Sequence, residues 1–221
     1  SLGEQPMLDS SGRYVITYNG EIYNYADLKK SLEKKHGLIN WKSSCDTEVI
    51  IEGFARDGKS FLGKLNGIFS IIIYDTRSEL LYVLRDPLGI KPLYRTSQNG
   101  CVYFSSEVKG YDGIKKIKKT IRKQSLADVL SFMYVPEPHT MFHEITRVEP
   151  GVCFIYSKGK YLSSSYLFDK LTKPITFSSN DEMVDTFKRC FSDSVQRQLI
   201  SDVPMSLFLS GGLDSSAIAF E

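Results

Sequence analysis

Seven consecutive residues near the end of the chain, Ser210-Gly211-Gly212-Leu213-Asp214-Ser215-Ser216, combine residue types that suit an anion. Two adjacent glycines lack Cβ atoms, so the backbone can turn sharply and let a ligand approach closely. Successive N–H groups in a loop that enters a helix form an anion nest, and the helix dipole adds to it. Ser210, Ser215 and Ser216 supply hydroxyl donors. Asp214 would repel a bare phosphate. A Mg²⁺ ion between them removes the objection, because Mg²⁺ takes carboxylate and phosphate oxygens together. No lysine follows the glycines, so the string is not a Walker A loop. Leu209 precedes Ser210 where a nucleophile elbow needs Gly-x, which excludes that motif too. A plain strand-to-helix turn is the competing reading.

Such a loop must be held by a strand before it and a helix after it. Pro204 to Leu209 is a short apolar run that reads as the strand, and Ala217-Ile218-Ala219 after the loop reads as the start of the helix. Upstream, Ser178-Ser179-Asn180 breaks the composition. Ser179 and Glu182 have capping-box spacing, and Val184, Phe187, Phe191 and Val195 line one face of a helix to about Leu199.

The first part of the chain reads differently. Arg13 to Tyr18 is β-branched and aromatic, a strand that stops at the turn pair Asn19-Gly20. Tyr25, Leu28 and Leu32 predict a helix to about His36. Asp46 stands as an N-cap before a second helix that ends near Asp57-Gly58. Ile68 to Asp75, Leu80 to Arg85 and Cys101 to Ser105 read as strands. Ser125 to Phe132 reads as a short helix with a Ser125/Asp128 capping box, broken by Tyr134 to Pro138. Val152 to Ser157 and Lys160 to Leu162 form a hairpin around Lys158-Gly159. Strands with few helices make this part α+β, not strictly alternating βαβ.

The 221 residues carry a net charge of only +2, which argues against a global field for nucleic acid or anionic lipid. The basic run from Ile114 to Lys123 reads as a solvated face. No apolar stretch reaches the roughly 18 residues of a membrane span. Cys45, Cys101, Cys153 and Cys190 are scattered, so neither zinc nor disulfides are suggested, and buried thiols in a reducing, cytoplasmic setting are expected.

Ser210 to Ser216 resembles the pyrophosphate loop of the ATP pyrophosphatases. With Ser201-Asp202-Val203-Pro204 before it, the string is similar to the glutamine-dependent asparagine synthetases. Tyr18-Asn19-Gly20-Glu21-Ile22-Tyr23-Asn24 resembles the glutamine-site motif of class II glutamine amidotransferases, and Asp46-Thr47-Glu48 their acidic substrate motif. Leu65 to Ser70, Arg85 to Tyr94, Ser105 to Lys109, and Tyr134-Val135-Pro136 with Pro138, Thr140 and Phe142 are further blocks of that family, in its order.

The resemblance implies an N-terminal nucleophile-type α/β/β/α sandwich, incomplete, over residues 1–175. The first strand-loop-helix of an α/β ATP-pyrophosphatase domain follows over 176–221. It implies that Asn19 and the Gly20 N–H form an oxyanion hole, and that Glu21 and Asp46 hold the glutamine α-ammonium. Leu209, Ser210, Gly211, Gly212, Asp214, Ser215 and Ser216 would bind ATP, with Asp214 on Mg²⁺. The implied reaction makes asparagine from aspartate, glutamine and ATP, releasing glutamate, AMP and pyrophosphate. A family member with another acceptor, a β-lactam precursor or a glycan, is an alternative, as is a non-catalytic glutamine-binding module. Partners are small molecules, with no nucleic acid or membrane, and a homodimer is left open. For Arg85-Asp86 and Glu107 a structural ion pair is expected.

The family's nucleophile is an N-terminal cysteine whose own amine is the base. Ser1 does not stand in that motif, nor does any of the four cysteines. Both ends are therefore expected to be cut, with the nucleophile upstream of Ser1 and the chain by itself inactive.

Overall fold

The computed structural model describes residues 3–168, 174–200 and 204–221. The chain divides into two compact units, Ser1–Phe168 and Asp169–Glu221.

The first unit is built on a six-stranded antiparallel sheet. Its strands are β1 (Met7–Leu8), β2 (Tyr14–Ile22), β3 (Gly67–Asp75), β4 (Leu80–Arg85), β8 (Val152–Ser157) and β9 (Lys160–Tyr166), in the order β1-β2-β3-β4-β8-β9. Side chains alternate between the two faces of a strand. Ile16, Tyr18 and Ile22 of β2 and Phe69, Ile71 and Ile73 of β3 therefore share one face. Helices α1 (Tyr25–His36), α2 (Asp46–Asp57) and α3 (Lys59–Leu62) cover it with Leu28, Leu32, Ile50, Phe54 and Phe61. The opposite face carries Leu81, Val83, Phe154 and Tyr156, packed on Leu93, Val102, Phe104 and Val148. Val102 and Phe104 belong to a second sheet, β6-β5-β7, made of β5 (Tyr94–Gln98), β6 (Cys101–Ser105) and β7 (Thr146–Arg147). Tyr111, Ile117 and Ile145 gather with Tyr94 and Tyr103 in a third cluster. Helices, sheet and sheet are three layers of the expected α/β/β/α sandwich. Among the described residues the Tyr111 cluster draws on a 3₁₀ turn, Val108–Tyr111, and irregular chain.

Several local expectations are corrected. Asn19-Gly20 is not a turn, because β2 runs through it to Ile22, opposite Ser70 and Phe69 of β3. A turn-prone pair was overridden by nine residues of β3 waiting to be paired. Asp46 does not cap α2; the N-cap is Cys45, and Asp46 is the first helical residue. Helix α4 (Lys123–Phe132) begins ahead of Ser125, so Ser125 and Asp128 form no capping box. Ser125 is buried and donates to the Thr140 carbonyl at 2.7 Å. Strand β5 was not foreseen, since Tyr94-Arg95-Thr96-Ser97-Gln98 has little apolar alternation. Of the cysteines only Cys153 is fully buried, and burial pushes its thiol up to about 11. Cys101 and Cys190 are exposed.

In the second unit, α5 (Asn180–Gln198) starts as expected: the Glu182 N–H donates to Ser179 Oγ at 3.1 Å. The Glu182 carboxylate accepts from the Ser178 N–H at 2.7 Å. Phe187 and Phe191 stack with centroids 6.0 Å apart. Pro204 to Leu209 is not assigned as a strand, because a strand needs a ladder partner and the described residues of this unit offer only helices. Helix α6 (Leu213–Phe220) follows. Among the described residues no helix is long and apolar enough to cross a membrane.

Two contacts hold the β2–β3–β4 region. Asp75, at the end of β3, accepts from Arg13 Nε at 2.8 Å and Nη2 at 2.5 Å. It also accepts from the Arg77 N–H and the Ser78 hydroxyl in the β3–β4 turn. At the other end, a Cβ on Gly20 would stand 2.1 Å from the Ile68 carbonyl oxygen, and one on Gly67 would stand 2.1 Å from that of Glu21.

The Arg13 guanidinium holds the Asp75 carboxyl well below the usual carboxylate range. Such a group stabilises the fold fully above about pH 5, and the stabilisation fades as pH falls from about 4. Asp75→Asn is expected to cost about 1–3 kcal/mol at neutral pH. It should also flatten the loss of stability below about pH 4, read by urea unfolding at a series of pH values. Gly20→Ala forces two backbones apart and is expected to cost about 1–3 kcal/mol or more. Asn19→Ala, at an exposed neighbour, should stay within about 0.5 kcal/mol in the same urea titration.

Candidate functional site

Asn19, Gly20 and Glu21 follow one another at the end of β2, which Asp46 of α2 reaches from the helix side. Residues of one strand send their N–H groups alternately to the two sides. Phe69 accepts from the Asp86 N–H at 2.8 Å, so its own polar groups face β4 and not β2. Gly20, opposite Phe69, therefore turns its N–H away from β3, toward the β1 side. The last β1 pair on that side is Met7 with Ile16. Beyond it, side chains take the neighbouring N–H groups. Tyr18 N donates to Gln5 Oε1 at 2.6 Å, and Ile22 N donates to Asp46 Oδ2 at 3.0 Å. Gly20 lies between these two. Its missing Cβ is what lets this stretch lie against Ile68.

Asp46 is anchored by Tyr18, whose hydroxyl donates to Asp46 Oδ2 at 2.6 Å. Burial first, and then the Asp46 charge, push the Tyr18 phenol far up, so it remains a donor at any physiological pH. Among the described residues the other Asp46 oxygen has only a long contact with the Thr47 hydroxyl, 3.5 Å. Glu21 is exposed one residue beyond Gly20, and its charge also raises the Tyr18 phenol. Asn19 points to the sheet–sheet side. Its Nδ2 donates to Ser106 Oγ at 3.3 Å, and it lines a cavity of about 120 Å³ with Ser70, Phe104 and Ser106.

The chain around this strand end is tied down by polar groups. Asn24 donates to the Lys64 carbonyl at 2.9 Å and accepts from the Asn66 N–H at 3.0 Å. Glu48 is buried and accepts from the Lys42 and Ser43 N–H groups, both at 2.7 Å. Arg85 and Asp86 are 3% and 1% exposed, yet they are not each other's ion-pair partners. Arg85 pairs with Glu137 at 3.2 Å and donates to the Lys91 and Val148 carbonyls. Asp86 accepts from the Ile90 and Lys91 N–H groups at 2.9 and 2.8 Å. Glu107 pairs with Lys109 on the surface at 2.8 Å. The expected structural role holds for Arg85 and Asp86, with the partners corrected.

In the second unit the glycine string forms a compact loop. Gly211 has φ +76°, a conformation that favours glycine. The Ser210 and Ser215 hydroxyls are 2.9 Å apart, and Gly212 N donates to Ser210 Oγ at 3.3 Å. The Ser216 hydroxyl donates to the Gly212 carbonyl at 2.8 Å. Gly212 caps α6, and Asp214 lies in its first turn. Leu209 is exposed just before the loop. Among the described residues no three His, Cys, Asp or Glu side chains gather as a metal site, at Asp214 or elsewhere.

Tyr18, Gln5, Asn24 and Ser106 were not singled out individually. Tyr18, Asn24 and Ser106 fall inside the quoted motif blocks, but nothing in the sequence tells which side chain each one meets. Gln5 stands in the Gly3 to Met7 segment, which also resembles the family, but nothing there tells that its side chain meets Tyr18.

The chain is 38% identical over 216 residues to asparagine synthetase [glutamine-hydrolyzing] 1 of Bacillus subtilis, covering 98% of this chain and 34% of that protein. It is 30% identical over 222 residues to an asparagine synthetase [glutamine-hydrolyzing] of Sandersonia aurantiaca, covering 98% and 35%. The chain thus spans about a third of the length of these curated relatives. Among solved structures, the glutamine phosphoribosylpyrophosphate amidotransferase of B. subtilis, complexed with ADP and GMP, superposes with a TM-score of 0.54 at 19% identity. The match covers 98% of this chain and 46% of that one, and shows the fold alone. The asparagine synthase family pattern matches residues 186–220. The glutamine amidotransferase domain pattern matches residues 1–167, which is most of the chain, and the chain belongs to that family.

Proposed function

We propose that this chain serves glutamine-dependent asparagine synthesis, with the first unit binding and opening glutamine and the second contributing to the ATP site. The observation that carries the reading is the Gly20 N–H, turned to the β1 side between two N–H groups already taken by Gln5 and Asp46. A donor held there without a Cβ beside it suits the oxyanion of a tetrahedral intermediate, and the Asn19 amide supplies the second donor. Asp46, fixed by Tyr18 and the Ile22 N–H, has one oxygen left for the substrate's α-ammonium, and Glu21 adds a second negative charge. The nucleophile would be the cysteine that the family resemblance implies. It would attack the amide carbon, giving a thioester and ammonia, and water would then release glutamate.

The second half of the reading rests on the loop. Ser210, Gly211, Gly212, Ser215 and Ser216, with Leu209 beside them, suit a nucleotide triphosphate at a helix N-terminus. Mg²⁺ fits the donor set, because it keeps most of its ligands as water and phosphate oxygens and needs few protein carboxylates, here Asp214. Bound there, it would neutralise charge on the phosphates. ATP would activate the aspartate β-carboxyl as its adenylate with loss of pyrophosphate, and ammonia would displace AMP.

The test is glutamate release by the full-length protein. Asn19→Ala is expected to lower the rate by about 10²–10³ with the fold intact. An unchanged rate would remove Asn19 from the oxyanion hole, and no glutaminase activity in the folded wild type would leave a binding module. Pyrophosphate release should require aspartate together with ATP. Release that answers only to another carboxyl acceptor would move the protein to a different branch of the family.

A further inference from the structure

A larger cavity, about 560 Å³, opens elsewhere between the two sheets, lined by Arg95 and Thr146 of the second sheet, Glu144, and Phe154, Tyr156 and Tyr161 of the β8–β9 hairpin. It is separate from the Asn19 cavity. Phe104 lines the Asn19 cavity, and its ring meets that of Tyr156 edge to face, centroids 5.6 Å apart, so the two side chains form a wall between them.

Arg95 is half-buried in this space and is held in one pose. Its Nε donates to Thr146 Oγ1 at 3.3 Å, Nη1 donates to the Tyr156 hydroxyl at 2.8 Å, and the guanidinium lies 4.9 Å from the Phe154 ring centroid. All of these partners are neutral. Among the described residues Arg95 has no carboxylate partner, and both donors of Nη2 are unused. Glu144 stands in the same lining, but its carboxylate accepts from the Thr120 N–H at 2.8 Å and from the Thr120 hydroxyl. A guanidinium fixed by hydroxyls and an aromatic face, with one edge of its fork open, is arranged to pair with an anion.

We propose that this cavity binds a small planar aromatic carboxylate, with the open edge of Arg95 on the carboxylate and Tyr161 against the ring. The charge sets the ligand class. The lining offers one open guanidinium edge, which matches a single carboxylate, and Glu144 in the same lining opposes the second charge of a phosphate dianion. The walls set the ring. Tyr161 is 55% exposed, with its centroid 6.1 Å from that of Tyr156 and 6.4 Å from that of Phe154, so it offers a flat surface at the mouth. The volume lies within the range of small-molecule sites.

The experiment is calorimetric titration of the full-length protein with indole-3-acetate, and with indole, acetate and inorganic phosphate as controls. Indole-3-acetate is expected to bind saturably at one site, at least about tenfold more tightly than either of its halves or phosphate. Arg95→Met should weaken it at least about tenfold, and Arg95→Lys, which keeps the charge and loses the fork, by less. Tyr161→Ala, at a position 55% exposed, should weaken it about fivefold or more and decides the matter if the Arg95 variants fail to fold. No saturable binding at millimolar concentration, binding indifferent to Arg95 and Tyr161, or phosphate binding as tightly as indole-3-acetate would each overturn the proposal.

Discussion

The close approach of β2 and β3 is the constraint on which the rest of the first unit depends. Nine residue pairs run from Tyr14 with Asp75 to Ile22 with Gly67, and at the site end each strand places a glycine against the other's carbonyl. A Cβ at either position would meet backbone, which cannot move aside as a side-chain tip can. Because the pairing holds to the end of β2, the parity of every residue there is fixed. That parity turns the N–H of Gly20 to the β1 side and the side chain of Asn19 to the sheet–sheet side. It also places the Tyr18 ring among the helices, where its hydroxyl reaches Asp46.

Buried polar groups hold the irregular segments around this core. Apolar packing cannot fix a loop that has unpaired backbone groups, so side chains supply the missing partners. Asp86 takes N–H groups of the loop after β4, Arg85 takes its carbonyls, and Glu48 takes the two N–H groups before α2. Asn24 ties the loop after β2 to the segment before β3. For Asp86, Arg85 and Glu48 the bonds cost more to break than to omit, since a lone buried charge loses its water without a replacement. The glycine string of the second unit works on a smaller scale. Its serines bond to one another and to Gly212, which shapes the turn locally and leaves Asp214 in the first turn of α6.

Much of this was legible in the residues. Short runs of β-branched, aliphatic and aromatic residues marked β3, β4, β6 and β8, and helical spacing marked α1, α2 and α5, because burial leaves those signatures whatever the partner is. The Ser179/Glu182 start of α5 and the Lys158-Gly159 hairpin were local enough to read directly. The glycine loop and the blocks around Asn19 and Asp46 were visible as strings. What the sequence by itself determined was thus the element types, the α+β class and the candidate residues. The tertiary structure decided what those residues do. Asn19-Gly20 has the local chemistry of a turn and is strand, since β3 offers pairing that a turn would forgo. Asp46 has the chemistry of an N-cap and instead serves Tyr18 and Ile22, since those groups reach it from β2. Arg85 stands next to Asp86 and pairs with Glu137, since adjacent residues on a strand face opposite ways. In each case the deciding partner lies far along the chain, and only folding brings it within hydrogen-bond distance.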